Sequence, residues 1–233
     1  MRSAALDRGT AALAVAFLLV LPFSSSVAVR NALMALVIAG LAVRAVLQAG
    51  WRPGRLPRGR ILLPIALWCL WCAASVAWSL DPAYSASELR PGLLYPVAAF
   101  LVFHALTAEA ADIDRWAWTL AAGLAILGVA AIVPGVRHGA WDAQRWHGGV
   151  GAFATHIVLT WPLLAWLAVR TPRDAVARRA ALAIVAAIAC ASLWLTDNRI
   201  SWVALAVMTC LWAAASWRDA ARAGRARIAL AAT

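Results

Sequence analysis

The sequence has no lysine and little charge of either sign. All 21 basic residues are arginine, only 13% of the residues are charged, and 64% are hydrophobic. Soluble domains usually have about 25% charged residues and about 45–50% apolar residues. The composition therefore excludes an ordinary soluble domain and leaves an apolar chain with a net charge of +11. Because the arginines lie in short loops between apolar runs, the positive-inside rule explains them more simply than nucleic-acid binding.

The chain also has few cysteines and no signal-peptide cleavage site. The four cysteines lie inside apolar runs, and two of them form a C-x-x-C in "IALWCLWCAAS". In an apolar run, such cysteines act as small core residues more often than as redox or metal groups. No A-x-A-like site follows the first apolar run, so we interpret this run as a retained span.

Long apolar runs recur along the whole chain. A helix of about 20 apolar residues crosses a hydrocarbon core about 30 Å thick. We predict an all-α, polytopic helical membrane protein, with one transmembrane domain over residues 1–233. About eight complete transmembrane helices are expected, followed by the start of a ninth at Ile228; the eight are 11–29, 31–47, 61–79, 91–107, 116–134, 152–169, 180–196 and 200–216. The sequence does not show the alternation of apolar and polar residues that a membrane β-barrel requires.

The loops alternate between rich and poor in arginine. One set of loops contains 16 of the 21 arginines, when the N-terminus, Arg44 and Arg115 are counted with it. Its main loops are "WRPGRLPRGR", "RTPRDAVARR" and "WRDAARAGRAR". The opposite set holds Arg30, Arg90, Arg137, Arg145 and Arg199. This asymmetry predicts a cytoplasmic N-terminus.

The stretch "TDNR" separates the last two apolar runs. One helix over residues 180–216 would be about 55 Å long, far more than the membrane core requires, so we predict a hairpin whose turn contains Asp197, Asn198 and Arg199. Arg199 has two interpretations: a solvated interfacial side chain, or an anion clamp whose planar fork matches phosphate oxygens. In the second, Asp197 or Asn198 would hold the guanidinium, and the free amides of the next helix would contribute.

Two further outer segments carry candidate residues. The loop 135–151 contains Arg137, Arg145 and His147 before "GGVG", and His147 is a candidate general base or merely a solvated loop residue. His156, within the sixth span, would be costly unless it faces the protein interior or a polar cavity.

In "SVAWSLDPAYSASELRPGLLYP", Asp81-Pro82 predicts a turn, Pro91 suits the first turn of a helix, and Arg90 is a further candidate for the anion site.

Three segments in this order resemble the O-antigen ligase and polymerase family of bacterial membrane glycosyltransferases. They are "SVAWSLDPAYSASELRPGLLYP" with its W-S-x-D-P core, "RWHGGVGAFATHIVLTWPLLAW" with an R-x-x-G entry into span six, and "LTDNRISWVALAV". The resemblance covers roughly residues 60–216.

The resemblance implies a glycan transfer on the periplasmic face of the inner membrane. The donor would be a glycan on a polyprenyl-pyrophosphate carrier, and the acceptor lipid A core or another glycan. No metal, cofactor or nucleotide sugar would be required, and nucleic acid is not an expected partner. Arg199 and Arg145 match the family's arginine positions and become the predicted pyrophosphate contacts. Such proteins usually have about a dozen spans and a large late periplasmic loop, so we expect the catalytic base to lie beyond Thr233 and this piece alone to be inactive.

Other functions stay open. An O-antigen polymerase or a protein O-oligosaccharyltransferase would share the same donor site. A lipid-linked glycan transporter is a different class, for which charged residues near the membrane midplane would be expected. A plain membrane scaffold is the remaining alternative.

Overall fold

The computed structural model describes residues 2–47, 59–138 and 149–231. Within these ranges the regular structure is entirely helical, so the predicted all-α class is confirmed. The α-helices are α1 (Arg2–Val20), α2 (Val27–Leu47), α3 (Gly59–Ser75), α4 (Pro82–Leu89), α5 (Tyr95–Leu106), α6 (Ala110–His138), α7 (Val150–Arg170), α8 (Val176–Leu195) and α9 (Arg199–Ala231).

Six helical segments in the described ranges are long and apolar enough to cross a membrane. They are Val27–Leu47, Ile61–Trp78, Pro82–Leu106, Ala110–Val133, Val150–Arg170 and Val176–Leu195. Arg199–Ala215 is a shorter apolar helical segment. The polytopic membrane class is thus supported by length and composition, whereas the predicted number of eight spans is not confirmed.

The first break between helices lies earlier than predicted. We expected it near Arg30, but α1 ends at Val20 and a 3₁₀ turn over Ser24–Ser26 precedes α2. Pro22 and the serines cause the break, because proline lacks a backbone donor and serine hydroxyls compete for backbone groups. Arg30, in the first turn of α2, donates from Nη1 to the Leu21 carbonyl oxygen at 3.2 Å. This arginine therefore satisfies a carbonyl left free where α1 ends.

The fourth predicted span begins at Pro82 rather than at Pro91. The Asp81 carboxylate accepts a hydrogen bond from the Tyr84 amide at 2.9 Å and caps α4, with Pro82 in the first turn. Pro91 lies inside a π-helical segment, Arg90–Leu94, that continues α4 into α5. Because proline cannot donate to the preceding turn, the helix widens there rather than starting there.

The last helix is continuous where a loop and a ninth span were expected. Helix α9 runs from Arg199 to Ala231 and includes the segment "WRDAARAGRAR". Alanine and arginine are among the strongest helix formers, and a single glycine in the segment costs only about 1 kcal/mol relative to alanine. The basic stretch is therefore helical and is not the loop that we expected.

The chain divides into two compact units. Residues 1–17 and 31–113 form unit 1, and residues 18–30 and 114–233 form unit 2. In unit 1, a Cβ on Gly40 would lie 3.3 Å from Thr10 Cγ2, so α1 and α2 approach closely at this point. Arg44 Nη1 and Asp7 Oδ1 are 3.2 Å apart in the same unit. The prediction of a single domain remains a prediction.

Unit 2 contains a core of fully buried side chains from α6, α7 and α8. Leu124, Phe153, Ile157 and Leu193 are each 0% exposed. Helices in a membrane associate through close packing rather than through a hydrophobic driving force. Gly128 on α6 permits such packing, because a Cβ there would collide with Ile188 of α8.

All four cysteines are free thiols. Cys69 and Cys72 are half-buried on α3, and their interpretation as small core residues remains a prediction.

Candidate functional site

The turn between α8 and α9 is formed by three residues, Thr196 to Asn198. Asp197 has φ +50°, a left-handed conformation that aspartate and asparagine tolerate better than most residues. The Asn198 side-chain oxygen accepts a hydrogen bond from the Ser201 amide at 3.4 Å, and so caps the start of α9. The predicted break between the two helices is confirmed, although Arg199, which was expected in the turn, is the first residue of α9.

The buried Thr196 hydroxyl stabilises this turn and was not identified from the sequence. Thr196 donates from Oγ1 to the Leu193 carbonyl oxygen at 2.7 Å. Thr196 and Ser201 are each 7% exposed. The signal was present in "TDNRIS", because a threonine hydroxyl beside an Asp-Asn pair is typical of a turn in which side chains bind nearby backbone groups.

Arg199 projects from the turn into open space. Its side chain is 91% exposed, and its Nε lies 4.0 Å from Oδ1 of Asp197, which is 88% exposed. An ion pair so exposed and so long contributes little and does not fix the guanidinium. Asp197 therefore positions Arg199 through the shape of the turn rather than through a firm salt bridge.

The helix terminus adds to the positive potential around Arg199. Arg199 is the first residue of α9, and the first turn of a helix presents unpaired amide groups and a partial positive charge. A cation at this end is electrostatically unfavourable by itself. An anion bound at the turn would meet both the guanidinium and the amides, so the arrangement favours negatively charged ligands.

Helices α7 and α9 start at the same end of unit 2. Trp161 Nε1 donates to Thr209 Oγ1 at 3.0 Å. Trp161 lies eleven residues after Val150, and Thr209 lies ten residues after Arg199. Residues 171–175 join α7 to α8 and residues 196–198 join α8 to α9, and such short connections join antiparallel helices, so α7 and α9 run in the same direction. At 1.5 Å per residue, the two helices start within about 2 Å of the same level.

Helix α6 ends at this same end of unit 2, because Asp114 near its start accepts hydrogen bonds from Trp166 and Arg170 near the end of α7. The close approach of Gly128 to Ser192, with a Cβ only 3.0 Å from the serine hydroxyl, places these two residues at one level. Helix α6 continues ten residues beyond Gly128, whereas α8 ends three residues after Ser192. The last residues of α6 thus extend past the turn by roughly 10 Å along the bundle axis. Arg137 lies in this last part of α6, not in a loop as expected, and its side-chain position is not described.

Arg145 and His147 lie outside the described residues, between α6 and α7. Their predicted roles as pyrophosphate contact and candidate base therefore remain predictions.

His156 lies within α7, six residues after its first residue. That spacing puts it about 9 Å along the helix from the Arg199 end of unit 2. Its Nε2 is buried and has no hydrogen-bond partner among the described residues. An ionisable group without a partner inside an apolar span is a candidate functional residue by default.

Arg90 belongs to unit 1. It is exposed, and its guanidinium carbon lies 6.0 Å from the centre of the Tyr95 ring. This is the outer range of a cation–π contact. Its predicted contribution to an anion site also remains a prediction.

Within the described ranges, no group of three or more His, Cys, Asp or Glu residues could hold a metal ion. Comparison with known proteins finds no matching protein-family model, no matching curated protein and no matching solved structure.

Proposed function

We propose that the chain belongs to a membrane glycosyltransferase of the O-antigen ligase type. It would transfer a glycan from a polyprenyl-pyrophosphate carrier to lipid A core on the periplasmic face of the inner membrane. The observation that carries this proposal is Arg199, a highly exposed guanidinium on the first residue of α9. The proposed membrane topology has eight spans, with α1 and Arg199–Ala215 joining the six segments described above.

The chemistry of the transfer explains why such an arginine would be useful. When the glycan leaves its carrier, negative charge develops on the departing pyrophosphate. A guanidinium matches two phosphate oxygens at once, and it lowers the barrier when it binds this developing charge more strongly than it binds the ground state. The first-turn amides of α9 would contribute to the same anion.

The other participants are part of the proposal. Arg145 would be the second pyrophosphate contact, and Arg137 and Arg90 are further candidates. A base must take the proton of the acceptor hydroxyl, and we assign it to no described residue. An O-antigen polymerase or a protein O-oligosaccharyltransferase would use the same donor site with another acceptor.

The test uses the complete protein in a host whose lipopolysaccharide capping depends on it. Arg199→Ala and Arg145→Ala should each abolish glycan-capped lipopolysaccharide while the protein stays in the membrane. Arg199→Lys should also be impaired, because lysine keeps the charge but loses the planar fork. Arg173→Ala, at the opposite end of unit 2, is the matched control and should cap normally. Normal capping in Arg199→Ala would defeat the phosphate-clamp proposal.

A transporter of lipid-linked glycans is the second candidate, and His156 is the observation that favours it. A half-buried imidazole inside a span, whose Nε2 is buried without a hydrogen-bond partner among the described residues, is a candidate for a polar path through the membrane. The two functions differ in where the substrate accumulates. Loss of a glycosyltransferase leaves lipid-linked glycan on the periplasmic face, whereas loss of a transporter leaves it on the cytoplasmic face. Accumulation on the cytoplasmic face in an Arg199→Ala strain would support the transporter.

A further inference from the structure

An apolar groove of about 500 Å³ opens in unit 2 between α7, α8 and α9. It lies in the half of the unit away from Arg199, because its lining begins at Trp161 and Thr209 and reaches Arg179 near the start of α8. Leu164, Leu182 and Trp212 are among the apolar side chains between these points. Its volume is within the range of about 300–1,000 Å³ that is usual for small-molecule sites.

The end of the groove at Trp161 and Thr209 offers no polar group that is free to bind a ligand. The Thr209 hydroxyl donates to the Leu205 carbonyl oxygen at 2.7 Å and accepts from Trp161 Nε1 at 3.0 Å. Its hydrogen-bonding capacity is thus largely used. This end suits a hydrocarbon chain and offers nothing to a polar ligand.

The other end of the groove is cationic. Arg179 is exposed and lines the groove, and among the described residues its side chain has no hydrogen bond or ion pair. The segment 170–179 contains four arginines and one aspartate. Of these arginines, Arg170 is held by Asp114 at 3.3 Å.

The start of α8 increases this positive potential. Its first turn contains no acidic residue and no side-chain cap, although an N-terminal turn favours negative charge. Arg178 and Arg179 are the third and fourth residues of the helix. An anion held here would be attracted by the arginines and by the helix terminus together.

We propose that this groove binds an anionic phospholipid, with one acyl chain between the three helices and the phosphate on Arg179. Seven residues separate Trp161 from Ala168 on α7, so the apolar part is about 10 Å long. Basic pockets between transmembrane helices are known to bind anionic lipid head groups. A second copy of the chain is a poorer occupant, because it would bring its own arginines against those of the first.

The experiment measures lipid binding to the full chain by native mass spectrometry. The purified chain is offered equal amounts of phosphatidylglycerol and phosphatidylcholine. For each lipid, the fraction of the protein that carries one bound molecule is recorded. Arg179→Gln should reduce phosphatidylglycerol binding about tenfold and leave phosphatidylcholine unchanged, because it removes a charge-assisted hydrogen bond. Arg178→Gln is the matched control, since Arg178 does not line the groove, and it should change binding less than twofold, as expected for a screened neighbouring charge.

A second pair of variants tests the apolar part. Ala183 lines the groove, and Ala183→Trp should fill it and reduce the binding of both lipids at least fivefold, since close-packed space admits no second occupant. Ile184 is exposed on the same helix outside the groove, and Ile184→Trp should bind as the wild type does. Circular dichroism and gel filtration establish that all four variants are folded.

Two results would overturn the proposal. One is an unchanged preference for phosphatidylglycerol in Arg179→Gln, with Ala183→Trp also binding lipid normally. The other is a dimer of the wild-type chain that Ala183→Trp dissociates, which would make a second copy the occupant.

Discussion

Gly128 and Gly123 provide a matched test of the packing in unit 2. Both lie within α6, and neither has a positive φ, so alanine suits the local backbone conformation at both positions. At Gly123 the new Cβ would lie 3.6 Å from Pro22 Cγ, an ordinary van der Waals contact. At Gly128 it would collide with Ile188 Cγ2, a branch methyl that cannot swing away, and would lie 3.0 Å from the Ser192 hydroxyl.

The magnitude follows from two opposing effects. Replacing glycine by alanine favours the helix by up to about 1 kcal/mol at either position. Overpacking a close helix contact costs about 1–3 kcal/mol, and only Gly128→Ala incurs this cost. The free energy of unfolding of Gly128→Ala should therefore be about 1–3 kcal/mol lower than that of Gly123→Ala, because the helix term cancels between them.

The assay is reversible unfolding in mixed micelles with increasing denaturing detergent, followed by tryptophan fluorescence. Comparing the variants also removes uncertainty about residual helix in the unfolded state. If Gly128→Ala were as stable as Gly123→Ala, then α6 and α8 would not approach each other as described.

Two further predictions concern the turn and the contact between α7 and α9. Asn198→Ala should lower the free energy of unfolding by about 1 kcal/mol and Asn198→Asp by less, since aspartate also caps a helix; the same unfolding assay measures this. Thr209→Val should lower the free energy of unfolding by about 0.6–2 kcal/mol, because it leaves the Trp161 indole without an acceptor in apolar surroundings. Thr209→Ser should be nearly neutral, and equal losses in the two variants would contradict the hydrogen bond.

The features of the fold predicted best are those that depend on local pattern. Runs of apolar residues and the Asp-Asn pair suffice for the helical class and for the hairpin between α8 and α9, because composition and turn chemistry act over a few residues. The helix boundaries were less accurate. We expected a helix to begin at Pro91, but Pro91 lies inside a π-helical segment. The first predicted span continued across Pro22, whereas α1 ends at Val20.

The candidate site could be predicted only in part. The exposure of Arg199 follows from its place directly after a short turn, but the unpaired nitrogen of His156 and the groove at Arg179 depend on which helix faces meet. Contacts such as that between Trp161 and Thr209 join residues far apart in the sequence. No local sequence pattern specifies such contacts, because they depend on how the helices pack.

The central proposal is that Arg199 binds the pyrophosphate of a lipid carrier, and direct binding tests it best. The complete protein in detergent would be titrated with a short-chain polyprenyl pyrophosphate, and its affinity compared between the wild type, Arg199→Ala and Arg199→Lys. We predict that Arg199→Ala weakens binding at least tenfold, as the loss of a charge-assisted contact of about 1.5–3 kcal/mol requires, with Arg199→Lys intermediate. Equal affinity in all three proteins would contradict the proposal.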